Sequence, residues 1–129
     1  MFTPTSAFSG FRVDDIAAAK AFYGDTLGLA IADDEMGSIR MALPGGGNVF
    51  VYAKDDHQPA SFTVLNFVAD NVEAAVDQLN GAGVLTKIYD DSGDEAGFET
   101  DAKGIARGHG MEIAWFKDPA GNVLAVLNG

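Results

Sequence analysis

The chain contains no cysteine. That excludes disulfides, thiolate chemistry and cysteine-ligated zinc, and it fits a cytoplasmic protein. Basic residues are scarce. The 8 Lys and Arg face 19 Asp and Glu, for a formal net charge of −11. Such a surface repels phosphate backbones, which argues against a nucleic-acid partner. It promotes solubility, and it would also draw in a cationic ligand. Long apolar runs are missing too: none approaches the ~18 residues of a membrane-spanning helix, so no membrane partner is expected. The opening residues, MFTPTSAF, lack the basic and apolar regions of a secretory signal.

What is present suits a folded core. Of 129 residues, 47% are hydrophobic, enough for one domain spanning 1–129 and against disorder. The closing stretch FKDPAGNVLAVLNG (Phe116–Gly129) and the earlier PGGGNVFVY (Pro44–Tyr52) both place an apolar run after Gly-Asn-Val. This duplication extends along the whole chain.

The first half opens with FSGFRV (Phe8–Val13), a β-compatible run. Ile16, Ala19, Phe22, Tyr23 and Leu27 then recur at near-helical spacing, with Asp14 or Asp15 as the N-cap and Gly28 as the stop. The second half repeats the device. Its strand is Phe62–Val68, its cap Asp70 or Asn71, and its apolar helix face Val72, Ala75, Val76 and Leu79, ending near Gly81 and Gly83. Three strand-like segments follow each helix: LAIADDE, GSIRMAL and NVFVYAK first, then VLTKIYD, MEIAWFK and NVLAVLN. Each half therefore reads β-α-β-β-β, an α+β arrangement of two modules, 6–54 and 61–129. Only DDHQPAS (Asp55–Ser61) joins them.

VDDIAAAKAFYGDTLGL (Val13–Leu29) and FKDPAGNVLAV (Phe116–Val126), supported by VADNVEAAVDQLNGAGV, carry a family likeness. On these motifs the chain resembles the vicinal oxygen chelate superfamily over almost its full length. That superfamily includes glyoxalase I, bleomycin-resistance proteins, extradiol dioxygenases and fosfomycin-resistance enzymes. The resemblance implies two βαβββ modules forming a curved mixed sheet around a cavity. Several chemistries share that fold, so the resemblance does not name an activity.

In the metalloenzymes of the family, metal ligands come from the first and last strands of each module. Counting from the acids that open the helices gives Phe8 and Val64, and counting from Asp118 gives Ala125. Superposing Gly47-Asn48-Val49 on Gly121-Asn122-Val123 adds Val51. None of these side chains offers a lone pair to a metal. No metal and no cofactor is therefore expected.

Strand alternation puts Phe8, Gly10 and Arg12 on one face, and Val64, Asn66 and Val68 on another. Arg12 matches the position where glyoxalase I keeps an arginine for a substrate carboxylate, a task that suits its fork of donors. The alternative for Arg12 is an ion pair with a local acid such as Asp14 or Glu112. Aromatic surface comes from Phe8, Phe11, Phe50, Tyr52, Phe62, Phe67, Trp115 and Phe116, about half of which must point into the core by strand alternation. The expected ligand-binding set is Phe8, Arg12, Val51, Val64, Asn66, Trp115 and Ala125.

Other motifs carry less. His57 and His109 read as solvated loop histidines. DDSGDEAGFETD (Asp90–Asp101) imitates a calcium loop, but Glu95 stands where the turn needs Gly and Asp101 where a bidentate Glu belongs. Gly45–Gly47 has no following Lys-Ser/Thr and is not a phosphate loop. The stretch 89–110 reads as a long loop, either a lid bringing Phe98, Arg107 and His109 to the cavity mouth or a partner-contacting arm.

Three functions fit these observations. One is a metal-independent protein that binds a small organic molecule, sequestering an antibiotic or aromatic metabolite. Another is a divergent glyoxalase-like lyase, isomerase or dioxygenase with non-standard active-site residues. The third is an accessory domain for protein contact. Open sheet edges point to a homodimer.

Overall fold

Two near-copies of one element order make up the computed structural model, which describes residues 1–89 and 99–129. They form separate units, Met1–Pro59 and Ala60–Gly129. The first contains β1 (Ser9–Val13), α1 (Ile16–Lys20), β2 (Ala30–Asp33), β3 (Ile39–Ala42) and β4 (Asn48–Ala53). Its sheet runs β1-β4-β3-β2, with β1 and β4 parallel and the other pairs antiparallel. The second contains β5 (Thr63–Val68), α2 (Val72–Gly81), β6 (Ile105–Gly108), β7 (Met111–Lys117) and β8 (Val123–Leu127). Its sheet, β5-β8-β7-β6, repeats that pattern. Two mixed four-stranded sheets with few helices make this an α+β fold.

Local chemistry explains the shared start of each helix. Asp15 Oδ1 accepts from the Ala18 amide at 3.2 Å, and Asn71 Oδ1 accepts from the Ala74 amide at 3.0 Å. Each side chain satisfies an amide that the first helical turn leaves unpaired. In the first unit the helix continues as a π-helical segment over Ala21–Thr26, which buries Tyr23. Gly28, at φ 80°, ends it.

The first sheet buries one face, and the second buries one face together with Val123 and Ala125 of the other. In the first unit Val13, Ile39, Met41, Val49 and Val51 are all 2% exposed or less, and the Phe11 ring lies 5.9 Å from Tyr23. In the second, Ala114, Phe116, Leu124 and Val126 are buried, and Phe67 stacks on Phe116 at 6.4 Å. Each large apolar side chain so buried contributes about 1.5–3 kcal/mol.

The β3–β4 and β7–β8 turns are the same five-residue loop. Leu43 donates to the Gly47 carbonyl at 3.0 Å and Gly46 to the Leu43 carbonyl at 3.1 Å. Asp118 donates to the Asn122 carbonyl and Gly121 to the Asp118 carbonyl, both at 3.0 Å. Pro44 therefore corresponds to Pro119, and Gly47 to Asn122. The Gly-Asn-Val match in the sequence is out of step by one residue.

A further difference concerns VLTKIYD. Among the described residues Val84–Ile88 joins no sheet, and β6 lies instead at Ile105–Gly108, inside the stretch expected to be a long loop. Val84 and Thr86 are buried while Leu85 is exposed, so the segment carries a strand's alternation. Its partners, however, are not a backbone ladder. Thr86 Oγ1 donates to the Lys103 carbonyl at 2.7 Å, and Lys87 Nζ donates to the Thr100 carbonyl at 3.2 Å. Phe98 and most of the calcium-like run, 90–98, lie outside the described residues.

Candidate functional site

Opposite its buried face, the first sheet presents an aromatic surface. Phe50 has Gly10 as its register partner on one side and Arg40 on the other, and Tyr52 is paired with Arg12. Register partners send their side chains to the same side of a sheet. Phe50 and Tyr52, two residues apart on β4, stack at 5.6 Å with 24° between their planes. Phe8 meets Phe50 edge-on at 6.4 Å. The three rings form a continuous apolar strip, with Phe8 65% and Tyr52 36% exposed. Gly10 lies close against Phe50, where an added Cβ would stand 3.2 Å from the Phe50 carbonyl oxygen.

Arg40 closes one end of the strip. Its guanidinium carbon lies 5.9 Å from the Phe8 ring centroid, and Nη2 donates to Asp34 Oδ2 at 2.9 Å. The Glu35 amide and then this guanidinium hold the Asp34 carboxyl below its ordinary value. Arg40 was not among the expected site residues. The signal for it was present in GSIRMAL, where Ile39 and Met41 flank it and both point into the core.

In the second unit Asn66, Ala125 and Trp115 are register partners across β5, β8 and β7, so they share one face. Ala125 is fully buried and Asn66 is exposed. Tyr89 meets the Trp115 ring edge-on at 5.5 Å.

The remaining expected residues fall elsewhere. Val51 does not share a face with Gly10 and Arg12: it pairs with Phe11 and Ile39 and is fully buried. The one-residue slip in the Gly-Asn-Val superposition accounts for this, since such a slip reverses every side chain on a strand. The residue equivalent to Ala125 is Phe50. Val64 sits in a bulge, where the β5–β8 register steps from Thr63–Val123 to Leu65–Leu124 and leaves it unpaired.

Arg107 lies on β6 and His109 in the turn that follows it. Arg107 Nε donates to Glu112 Oε2 at 2.8 Å, and Nη1 donates to Asp101 Oδ2 at 2.6 Å. Both acids raise the guanidinium's affinity for its proton. Lys103 extends this exposed network to Asp77 at 2.7 Å. His109, at φ 53°, and Gly110, at φ 79°, form the tight turn between β6 and β7. A shallow depression of about 490 Å³ lies beside α1, lined by residues including Ala17, Ala21, Gly24 and Ile31, and it does not involve the aromatic strip.

The metal of the resembling enzymes does not fit these residues. With the register corrected, the four strand positions are Phe8, Phe50, Val64 and Ala125, and none is a donor. Among the described residues no three His, Cys, Asp or Glu converge to hold an ion.

Comparison with known proteins agrees with the fold. The chain is similar to TnmS3, an antibiotic binding protein from Streptomyces sp. CB03234, at 23% identity and a TM-score of 0.69, over 98% of each chain. It is also similar to a lactoylglutathione lyase from Agrobacterium tumefaciens, at 19% identity and a TM-score of 0.68, over 98% of this chain and 96% of the other. A superfamily member from Sphaerobacter thermophilus DSM 20745 has 20% identity and a TM-score of 0.68, over 96% of this chain and 98% of the other. No curated protein sequence matches. The family model for the Glyoxalase/Bleomycin resistance protein/Dioxygenase superfamily matches residues 7–126, and the chain belongs to that superfamily.

Proposed function

We propose that the protein binds a small organic molecule without a metal, on the aromatic face of its first module. One observation carries this reading. The strand positions from which the family's metalloenzymes take ligands hold Phe8 and Phe50 here, and those rings form a strip with Tyr52. Flat rings recognise other flat rings, and a partly exposed strip of them is a ready surface for an aromatic ligand. The likeness to an antibiotic binding protein supports the same class of function. In the second unit, the exposed Asn66 and its face-mate Trp115 are proposed as ligand contacts of that sheet by itself, with Ala125 buried between them.

The protein is proposed to work in the cytoplasm as a homodimer. The competing reading, a divergent lyase, isomerase or dioxygenase, requires donors outside the usual positions. It predicts one Ni, Zn, Fe or Mn per purified chain. The deciding experiment combines metal analysis with a thermal-shift screen against bleomycin and a panel of aromatic antibiotics and metabolites. A ligand that binds the native state raises the melting temperature, by an amount set by its concentration and dissociation constant. Stabilisation in metal-free buffer supports the proposal. A stoichiometric ion, with stabilisation only when it is present, sinks it.

A further inference from the structure

Alternation along β4 puts Asn48, Phe50 and Tyr52 on one face of the first sheet, with Val49 and Val51 buried on the other. The aromatic strip therefore ends, along this strand, in a phenol. Tyr52 is 36% exposed, and its ring is stacked on Phe50 at 5.6 Å. Among the described residues its hydroxyl has no hydrogen-bond partner. Packing thus restrains the ring, while nothing described in the chain uses the polar group at its tip. The other polar side chains on β3 and β4 of this face are placed differently. Arg40 already donates to Asp34 at 2.9 Å, and Asn48 is exposed with no ring contact to hold it.

On the reading that this face binds a small aromatic molecule, we infer that Tyr52 selects among such molecules: its hydroxyl donates a hydrogen bond to an acceptor, such as a carbonyl oxygen, on the edge of the ligand's ring system. In the unliganded protein water serves this hydroxyl. A ring that packs on Phe50 and Tyr52 displaces that water, and a hydroxyl left without a partner then costs affinity. A phenol can donate or accept, and it donates more readily because its lone pair is delocalised into the ring. Tyrosine has only two side-chain torsions, and the stack on Phe50 restrains both, so little entropy is lost when the bond forms. The selection requires no charge on the ligand. Its size follows from the partial exposure of Tyr52. Water still reaches an unpaired hydroxyl here, so the preference is about tenfold, far below that of a sealed polar pocket.

The test is calorimetric titration of the full chain, in metal-free buffer, with two probes of one shape. They are 2-acetylnaphthalene and 2-isopropenylnaphthalene, in which a methylene group replaces the carbonyl oxygen. The ketone is expected to bind about tenfold more tightly than the alkene. Tyr52→Phe keeps the stacked ring and removes the hydroxyl. It is expected to bring the ketone down to the alkene's affinity while melting at the wild-type temperature, because the hydroxyl has no partner among the described residues to lose. Asn48→Ala is expected to retain the tenfold preference. Equal wild-type affinities for the two probes, a preference that survives Tyr52→Phe, or one that Asn48→Ala erases would each refute selection by Tyr52. If Phe50→Ala then still abolishes binding of both probes, the small-molecule reading stands without it. If neither probe binds the wild-type chain, both fall.

Discussion

Arg12 and Tyr52 are register partners across the parallel β1–β4 pair, so both side chains leave the sheet beside Phe50. Arg12 is half-buried there, between core-facing Phe11 and Val13. A guanidinium held beside an aromatic strip can orient a polar group of the ligand, or it can serve the sheet through a local ion pair. The functional role predicts that Arg12→Met weakens 2-naphthoate binding by roughly ten- to a hundredfold, or about 1.5–3 kcal/mol, with little change in melting temperature. Titration and thermal melting on one preparation separate the roles. A lower melting temperature with undiminished affinity would assign Arg12 to structure.

Phe50 and Ala125 occupy equivalent places in the two sheets, paired with Arg40 and Trp115 respectively. Neither can ligate a metal, and neither can Phe8 or Val64. Elemental analysis of purified protein is therefore expected to find far less than one transition ion per chain. Added EDTA is expected to leave the melting temperature unchanged, because on the proposed metal-free reading no folding free energy is linked to a metal. A drop on chelation would show that the donors lie elsewhere.

Gly104 stands against the Val84–Ile88 segment so closely that an added Cβ would lie 2.0 Å from the Thr86 carbonyl oxygen. Its φ of 87° is also one that side chains resist. Gly104→Ala combines backbone strain and overpacking, each worth about 1–3 kcal/mol. A loss of roughly 2–6 kcal/mol follows, readable as a lower urea midpoint with its slope unchanged. Gly45→Ala shares the positive φ but meets nothing within 4 Å, so it is expected to cost less than Gly104→Ala.

The sequence carried the modules and their helix starts because those depend on local chemistry. Asp15 and Asn71 cap their helices through a side-chain oxygen three residues from the amide it meets, a spacing that is visible in the text. Register was harder, because two cues disagreed. Pro44 with Pro119 aligns the loops as the hydrogen bonds do, whereas Gly-Asn-Val with Gly-Asn-Val shifts them by one. That choice decided whether Val51 or Phe50 was placed on the face of Gly10 and Arg12. The Val84–Ile88 segment misled for another reason: alternating burial arises wherever an extended chain lies on a core, whether or not a strand pairs with it. Asp101–Ile105 repeats the same loop, with Asp101 donating to the Ile105 carbonyl and Gly104 to the Asp101 carbonyl, both at 2.9 Å. DAKGI lacks the proline that marks the other two copies, so β6 went unread.

Acid should destabilise the second unit through Asp101. Burial raises this carboxyl, but the Ile105 amide, Arg107 and the Lys103 amide outweigh it and hold the group below its ordinary value of 3.8. A carboxyl lowered by folding contributes stability above its unfolded value, and that contribution disappears as pH falls through the folded value. The melting temperature is thus expected to fall as pH drops below about 4, where the unfolded chain begins to take up the proton. Asp101→Asn should lower stability at pH 7 and flatten the fall in acid. An unchanged acid profile in that variant would remove Asp101 from the explanation.

Oligomeric state is the remaining prediction. Among the described residues β1 is hydrogen-bonded on one side only within its sheet, and so is β5, so each is an edge strand there. Val68, on β5, is 70% exposed, and Phe62, just before that strand, is 68% exposed. An edge with unpaired backbone groups and apolar neighbours is a surface that association covers. A symmetric dimer is the commonest closed solution. Light scattering is expected to give twice the chain mass of 13.5 kDa at micromolar concentration. Val68→Lys, which puts a charge on the exposed apolar position, should shift the equilibrium toward monomer without lowering the melting temperature of the dilute protein. A wild-type chain that stays monomeric across the micromolar range would refute the dimer.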